Sequence, residues 1–356
     1  MKKILLSIFL SCWGVCVYGQ GSDYTNTFDW VVETFGENDA GYQYIIDKKG
    51  EADYHRFTEG IKSQVAKVDN DEEFVELVDE WLHYFRKGHV AFGLKEKPSK
   101  SRKKDLQNAA EDCEKKFRDT KLHLDKLSDK TVYLRIPSFE YENKVAIDSI
   151  IDANMHLLTQ VPNLIIDLRN GTGGSDASFQ KLLPLIYTNP IRMPGMFLKA
   201  SELNAQGFES YAHQMGNPEF SDMAKLLREN KGRFIPMGTS DKTYVLKLDS
   251  VLAAPERIGI IINEKNISTD EQFLLIAKQS WKVKLFGRTT FGAIDISNMT
   301  VVFSPDDKFY FAYAMSKSKR IPDFVVDDIG LQPDFFIDDE IPEGEWINYA
   351  KSVLER

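Results

Sequence analysis

The chain has 356 residues, of which 42% are hydrophobic and 28% are charged, and this composition excludes a disordered protein. Its 54 acidic residues outnumber its 45 basic ones, for a formal net charge of -9, which argues against a general binder of nucleic acid or anionic membranes. Only three cysteines are present, so the chain is not a disulfide scaffold. The length predicts one large domain with a smaller one, or two comparable ones.

Residues 1–19 have the pattern of a secretory signal peptide. Two lysines precede a short apolar stretch, and small residues lead to a predicted cleavage site after Gly19. The apolar run at 4–10 is too short to span a bilayer, so stable membrane insertion is not expected. We therefore predict an exported protein, periplasmic or secreted, with a lipoprotein attached through Cys12 as the alternative. After cleavage Cys113 would be the only thiol, and we interpret it as having no special role.

Residues 20–94 are predicted to form a small helical subdomain. Between Asp71 and Gly88, apolar residues recur at the spacing of one helix face, and the glycine ends the pattern. The apolar stretch that follows, from His89 to Leu94, is predicted as a strand. Residues 95–130 are highly charged, and we interpret them as a surface linker that leads into a solvated helix.

From residue 131 the pattern changes to alternating strands and helices. Apolar strand-like stretches begin near residues 131, 163, 257 and 282, and helical stretches lie between them. This alternation predicts an α/β layer with parallel pairing over residues 131–345, followed by a C-terminal helix at 346–356. The segment 190–242 is less regular and is expected to cap one side of the core. In such folds ligands bind where the strands end.

A glycine-rich turn follows the predicted strand at 163–169. Gly171, Gly173 and Gly174 would let backbone N–H groups approach an anion closely. The spacing matches neither a Walker loop nor a dinucleotide-binding turn. The alternative interpretation is a tight connection between a strand and a helix.

Ser268 lies between a predicted buried strand and an amphipathic helix. With Glu271 three residues later, it matches the capping box that begins many helices. The same geometry suits a nucleophile, because the positive end of the helix dipole acts on the serine and the next backbone N–H can stabilise an oxyanion. The residues alone support both interpretations equally.

Taken in order, several stretches resemble the tail-specific, or C-terminal processing, serine peptidases, and especially the branch that includes the tricorn core. They are the Gly-His pair at 88–89, YLRIPSF, LIIDLRNGTGG, NEKNISTDEQFLLIAKQ, LFGRTTFGA and IGLQPD. The resemblance implies a ClpP/crotonase-like α/β core preceded by a small helical subdomain. Many members carry a PDZ domain between these parts, but residues 95–130 are too few for one. We therefore expect the PDZ domain to be absent.

The resemblance also implies roles for particular residues. The family's nucleophile corresponds to Ser268. The lysine base of the Ser-Lys branch corresponds to Ala293, and because a methyl group cannot take a proton, that dyad is excluded here. The tricorn-like branch uses a histidine and an acid instead, which correspond to His89 as the base and Asp327 as the residue that orients it, with Asp328 as a nearby substitute.

The resemblance places an oxyanion hole at the backbone N–H groups of Thr269 and of Gly173 or Gly174. The glycine turn departs from the family pattern at Thr172, which leaves open which glycine N–H serves. Glu271 is expected to cap the helix and support the site.

Two functions of different classes remain open. The first is an exported serine peptidase that hydrolyses peptides or unfolded proteins; the coincidence of Ser268, His89 and Asp327 favours it. The second is a catalytically inactive member that binds peptides or another extracytoplasmic ligand in the same groove; Ala293 and the altered glycine turn favour it. A third hypothesis is a crotonase-type hydratase, but this hypothesis does not explain the N-terminal helical region. No cofactor or metal is expected, because the six histidines lack metal-ligand spacing, and the oligomeric state is not predicted.

Overall fold

The computed structural model describes residues 22–95, 119–237 and 243–356; the predicted signal peptide, Cys12 and Cys113 lie outside these ranges. The helices are α1 (Ser22–Asn38), α2 (Tyr42–Lys49), α3 (Glu51–Val65), α4 (Asp71–His83), α5 (Lys144–Leu158), α6 (Leu183–Ile186), α7 (Glu202–Met215), α8 (Glu219–Glu229), α9 (Thr269–Ala277) and α10 (Trp346–Leu354). The strands are β1 (Ala91–Leu94), β2 (His123–Lys126), β3 (Thr131–Arg135), β4 (Asn163–Asp167), β5 (Ile191–Met193), β6 (Met196–Lys199), β7 (Phe234–Pro236), β8 (Tyr244–Leu246), β9 (Arg257–Ile262), β10 (Val283–Gly287), β11 (Ile296–Phe303), β12 (Phe309–Ser318) and β13 (Phe335–Phe336).

Six strands form the central sheet, in the order β13-β10-β9-β4-β3-β2. All neighbouring pairs in it are parallel except β2 with β3. Strand β4 is buried along its whole length, as an apolar strand at the centre of a parallel sheet covered on both faces should be. The predicted α/β layer with parallel pairing is confirmed.

The carboxyl ends of three parallel strands meet at one edge of this sheet. β4 ends before the glycine-rich turn, β9 ends before Ser268, and β10 ends before the loop that contains Ala293. Because parallel strands present their carboxyl ends on the same side, three stretches that are distant in sequence lie together there.

The prediction of a charged linker and helix over residues 95–130 is wrong for its described end. Residues 123–126 are strand β2, which pairs with β3 at the edge of the sheet. Leu124 packs against the core, whereas Asp125 and Lys126 are exposed. Many sheets end in a short edge strand with charged residues. Strand β2 has only four residues, which are too few for an alternating pattern to be recognised in the sequence.

A second sheet is antiparallel, with the order β1-β12-β6-β7 and with β11 also paired to β12. Strands β6 and β7 and helices α7 and α8 come from the segment 190–242, which the sequence analysis expected to be less regular and to cap one side of the core. The expectation of a less regular segment is wrong. With four and three residues, β6 and β7 are too short for an alternating pattern to stand out.

Helices α1 to α4 share one apolar core with this second sheet. The rings of Phe35, Trp81 and Phe85 pack edge to face, and Phe35 also contacts Phe311 of β12. The Asp39 carboxylate, at the end of α1, accepts the backbone N–H of Ala314 on β12 at 3.1 Å. The N-terminal helices are therefore packed onto later parts of the chain, and this packing fixes where the segment after α4 lies.

Candidate active site

Ser268 immediately precedes α9 and has an unusual backbone conformation, with φ 60° and ψ -116°. A non-glycine residue rarely adopts such angles, which cost about 1–3 kcal/mol and persist only when the surroundings enforce them. Here the Ser268 N–H donates to the carbonyl of Ala293 at 3.1 Å and to Glu271 Oε2 at 3.2 Å. The Ser268 carbonyl accepts the N–H of Gln272 at 2.9 Å. The serine is held in a strained turn.

Positive φ angles cluster around this serine. Six non-glycine residues in the described ranges have positive φ, and four of them belong to stretches that the sequence analysis selected: His89, Asn170, Ser268 and Asp328. Backbone strain concentrates at functional sites, because evolution tolerates it there for the geometry that it provides. The clustering supports the edge of the sheet as the functional site.

Glu271 connects the serine turn to the loop after β10. Its side chain is fully buried and accepts four hydrogen bonds, from Thr290 Oγ1 at 2.5 Å and from the N–H groups of Gly292, Ala293 and Ser268 at 2.8, 2.8 and 3.2 Å. Burial raises the pKa of this carboxyl, and the four hydrogen bonds oppose that rise. Glu271 therefore holds two loops together in addition to capping α9.

Ala293, which the sequence analysis matched to the lysine of the Ser-Lys branch, is 2% exposed and lies directly against Gly88. A Cβ atom added to Gly88 would lie 2.5 Å from the Ala293 Cβ, so neither position has room for a larger side chain in that direction. Since the Ser268 N–H is bonded to the Ala293 carbonyl, this contact brings the Gly88-His89 segment beside the serine turn.

His89 is held by its backbone and by one ring nitrogen. Arg86 donates to the carbonyls of Gly88 and His89 at 3.1 and 3.0 Å, while its guanidinium forms a buried bidentate ion pair with Asp39. The ring Nδ1 lies 2.7 Å from the carbonyl oxygen of Ile296. Because a carbonyl can only accept, Nδ1 carries the proton and Nε2 is the acceptor.

The protonation state of His89 suits a general base. Burial lowers its pKa to about 4, and the positive charge of Arg86 contributes to the lowering, whereas the bond to Ile296 opposes it. The imidazole is therefore neutral at pH 7. No described residue is bonded to Nε2, which leaves this nitrogen free to accept a proton.

Asp327 does not contact the imidazole. Its Oδ1 accepts the N–H groups of Ile294 and Asp295 at 2.6 and 2.7 Å, and its Oδ2 accepts that of Ile296 at 3.2 Å. Burial raises the pKa of Asp327 to about 6, and the charge of Asp295 adds to the rise. The Asp327 carboxylate thus shapes the backbone that presents the Ile296 carbonyl to His89. The sequence analysis predicted that Asp327 itself would bond to the imidazole; in the structure the Ile296 carbonyl makes that bond instead.

Two further aspartates support the same loops. Asp295 accepts the N–H of Asp327 at 2.9 Å and pairs with Arg320 at 3.1 Å, and all three side chains are partly or fully buried. Asp328 is exposed and accepts the N–H of Lys87 at 3.1 Å. Asp328 therefore ties the loop around residue 327 to the segment before His89 and does not reach the ring.

The glycine turn packs directly on the serine turn. A Cβ atom added to Gly173 would lie 2.9 Å from Ser268 Cβ and 3.2 Å from the Thr269 nitrogen. The Gly173 N–H is directed at the carboxyl of Asp270, a fully buried group whose pKa burial raises to about 7. The Thr269 hydroxyl donates to the Gly174 carbonyl at 2.8 Å. The N–H groups of Gly174 and Thr269 have no acceptor within the described ranges, so these two are available for an oxyanion.

Three asparagines connect the glycine turn to the serine turn, and the sequence analysis did not select them as a group. Asn170 and Asn263 exchange two bonds of 3.0 Å, from the Asn170 N–H to Asn263 Oδ1 and from Asn263 Nδ2 to Asn170 Oδ1. Asn266 accepts the N–H of Asn263 at 2.8 Å and donates to Asp270 at 2.8 Å. The signal available in the sequence was an asparagine soon after each of two apolar strands: Asn170 three residues after the end of β4, and Asn263 directly after β9. Elsewhere in the described residues, no group of three or more His, Cys, Asp or Glu side chains is arranged to hold a metal ion.

The family model for peptidase family S41 matches residues 130–337, which is more than half of the chain. The chain belongs to peptidase family S41. The match includes Ser268 and its supporting loops, and the predicted family and fold class are confirmed: an S41 peptidase core in a mixed α/β structure with a helical N-terminal region. A comparison of the sequence with curated proteins found no match.

Three solved structures have similar folds. A candidate peptidase from Parabacteroides merdae is 14% identical, with a TM-score of 0.62, and the match covers 94% of this chain and 97% of that chain. Mature CPAF is 10% identical, with a TM-score of 0.63 and the same coverages of 94% and 97%. A lipoprotein from Streptococcus agalactiae is 16% identical, with a TM-score of 0.50 and coverages of 95% and 99%. At these identities the similarity shows the fold alone.

In the part of the S41 chain that the structure describes, no helix is long and apolar enough to cross a bilayer.

Proposed function

We propose that this S41 protein is an active serine peptidase with Ser268 as its nucleophile and His89 as its general base. Ser268 Oγ attacks the carbonyl carbon of a peptide bond while His89 Nε2 takes the hydroxyl proton. The N–H groups of Thr269 and Gly174 bind the resulting oxyanion. When the carbon–nitrogen bond breaks, the imidazolium returns its proton to the leaving amine, and water then hydrolyses the acyl-enzyme by the same route.

One observation supports this proposal above the others. Ser268 has a strained backbone conformation at the start of α9, beside two backbone N–H groups without an acceptor in the described chain. A residue that only capped the helix would have no need of this conformation, because ordinary N-cap residues adopt extended angles, as Asn70 and Ser201 do here. The strain is explained if it presents the hydroxyl to a substrate.

In this proposal Asp327 is a positioning residue, and the Ile296 carbonyl holds the imidazole. The carbonyl fixes the tautomer as a carboxylate would, but it stabilises the imidazolium less because it carries no full charge. The weaker stabilisation of the imidazolium favours the second candidate function, a catalytically inactive member that binds peptides in the same groove. The alanine at 293, where a lysine base would be expected, favours it too.

Labelling with a fluorophosphonate probe separates the two candidates. The probe phosphonylates a serine only when its hydroxyl is activated, so we expect mass spectrometry to find the label on Ser268 and on no other serine. The matched control is Ser201, which caps α7 with an ordinary extended backbone and should remain unlabelled. A folded, monodisperse sample that takes no label would favour the peptide-binding function.

The pH dependence of labelling tests the choice of base. Since burial lowers the pKa of His89 to about 4, the imidazole is neutral above that pH and becomes protonated below it. We therefore expect the labelling rate to stay nearly constant from pH 7 to pH 5 and to fall by half near pH 4. A fall centred near pH 6 would instead indicate that ionised Asp327, whose pKa is raised to about 6, is the required group.

We also propose that the protein is exported, on the basis of the pattern in residues 1–19. The intact mass of protein recovered from the extracytoplasmic fraction should then correspond to a chain that begins at residue 20. Recovery of the uncleaved chain from the cytoplasm would contradict export.

A further inference from the structure

One face of the antiparallel sheet carries lysines and phenylalanines side by side. We call it the lysine face, and it consists of Phe197 and Lys199 on β6, Phe234 on β7, Lys317 on β12 and Lys319 just after β12. All five side chains are half-buried. The residues that alternate with them are buried on the other side of the sheet: Leu198 on β6, Ile235 on β7 and Ser316 and Ser318 on β12.

The ammonium groups of the lysine face lie over its aromatic rings. Lys317 Nζ is 3.9 Å and Lys199 Nζ is 5.3 Å from the centre of the Phe234 ring, and Lys319 Nζ is 4.5 Å from the centre of the Phe197 ring. Two positive charges thus share one ring. Burial lowers the pKa of Lys317, and the like charge of Lys199 lowers it further. Repulsion between such neighbours is relieved when an anion binds between them.

No carboxylate in the described ranges lies within 4 Å of any of these three ammonium groups. Asp47 on α2 is the acid whose charge acts on Lys317, and it is hydrogen-bonded to Gln43. The three ammonium groups thus lie together without an ion pair among the described residues, in a protein whose formal net charge is -9. A local positive surface on an acidic protein is selective: long polyanions and anionic membranes are repelled by the whole molecule, whereas a short acidic segment senses mainly the charges within about 10 Å.

The lysine face adjoins the candidate active site through the strand register. Lys317 pairs directly with Ile296 across β12 and β11, and Ile296 supplies the carbonyl that holds His89. Phe197 pairs with Lys317 on the other side, and Pro236 of β7 pairs with Phe197. With strands about 4.8 Å apart, Lys317 is one strand away from the residue whose carbonyl holds His89.

We propose that the lysine face binds aspartate and glutamate side chains of the peptide substrate on one side of the bond to be cleaved. The ammonium groups pair with the carboxylates, and the phenylalanine rings pack against the aliphatic parts of the peptide. The claim that the lysine face selects substrates for cleavage rests on the proposed function. The claim that it binds acidic peptides does not, because binding can be measured without any hydrolysis.

The test uses the full mature chain with Ser268→Ala, so that no peptide is cleaved. Two fluorescein-labelled peptides of equal length serve as probes, one with four aspartates and the other with asparagines at the same places. Fluorescence anisotropy then compares this protein with one that also carries Lys199→Gln, Lys317→Gln and Lys319→Gln. A control protein instead carries Lys121→Gln, Lys278→Gln and Lys284→Gln, three exposed lysines outside the lysine face, and therefore has the same net charge.

We expect the substitutions in the lysine face to weaken binding of the aspartate peptide about 10-fold, since each partly exposed ion pair contributes modestly. Binding of the asparagine peptide to the protein with the substituted lysine face should change less than about 2-fold. Binding of either peptide to the control protein should also change less than about 2-fold. Equal losses for both peptides, or an equal loss in the control, would overturn the proposal. If the aspartate preference is found but Ser268 takes no fluorophosphonate label, the binding site stands and the proposed peptidase activity fails.

Discussion

Replacing His89 with alanine is expected to lower the rate of fluorophosphonate labelling, and kcat/KM for a peptide substrate, by about 1,000-fold or more. The imidazole is neutral at pH 7, its Nδ1 is bonded to the Ile296 carbonyl, and Nε2 faces no described partner. Without it Ser268 loses the neutral base that lies beside the serine turn. The oxyanion N–H groups and substrate binding would account for the activity that remains.

His156→Ala is the matched control, because this histidine is on α5, is exposed, and its ring bonds only to Gln160, two residues beyond the end of that helix. It should leave both rates unchanged, and Ser268→Ala should abolish labelling. Circular dichroism should show the His89→Ala protein to be folded, since the substitution removes one hydrogen bond and no charge. A His89→Ala enzyme as active as the wild type would mean that another group is the base.

Replacing Glu271 with alanine is expected to lower the free energy of unfolding by about 3–5 kcal/mol. The substitution leaves three buried donors without an acceptor, namely the Thr290 hydroxyl and the N–H groups of Gly292 and Ala293, and it leaves the Ser268 N–H with the Ala293 carbonyl alone. Only that one bond then ties the loop that carries Ala293 to the serine turn, so we expect labelling of Ser268 to be lost even at temperatures where the protein remains folded. Urea denaturation followed by fluorescence measures the first effect.

Glu59→Ala is the control for this substitution, because Glu59 is exposed on α3 and its change to alanine should alter stability by less than about 0.5 kcal/mol. The free energy of unfolding of the Glu271→Gln protein should lie between those of the wild type and of Glu271→Ala, since an amide keeps one acceptor oxygen and replaces the other with a donor. If Glu271→Ala unfolds at the same urea concentration as the wild type, the four hydrogen bonds do not stabilise the fold as argued here.

The central sheet could be predicted from the sequence because its strands are continuous apolar runs between turn residues. β4 and β9 contain Leu164 to Ile166 and Ile260 to Ile262, and all of these residues are buried. The antiparallel sheet could not be predicted in the same way. β6 and β7 are too short for periodicity, and the apolar residues of β12 face a core made by helices from the other end of the chain. Such long-range packing is not visible in local patterns.

At the candidate site, Ser268 could be selected because strand, serine and helix are consecutive in sequence. His89 could be selected only through resemblance, because the fold alone brings it next to the Ala293 loop. Its hydrogen-bond partner could not be predicted at all. The acceptor is the backbone carbonyl of Ile296, and a carbonyl is present in every residue, so no side chain in the sequence marks it. The importance of Gly88 likewise comes from what lies opposite to it in the fold, the Ala293 methyl group and the Phe291 ring.

The contact between Gly88 and Ala293 constrains how one catalytic machinery of this family could evolve into the other. A lysine at 293 would need space that the Gly88 segment fills, and any side chain at 88 would meet the Ala293 methyl group 2.5 Å away. Single substitutions that enlarge either residue should therefore damage the site, and because glycine is already the smallest residue, no substitution at 88 makes room for a lysine at 293. A double-mutant cycle on these two positions should consequently be strongly non-additive. Position 293 is thus tied to a small side chain for as long as the segment with Gly88 and His89 lies where it does.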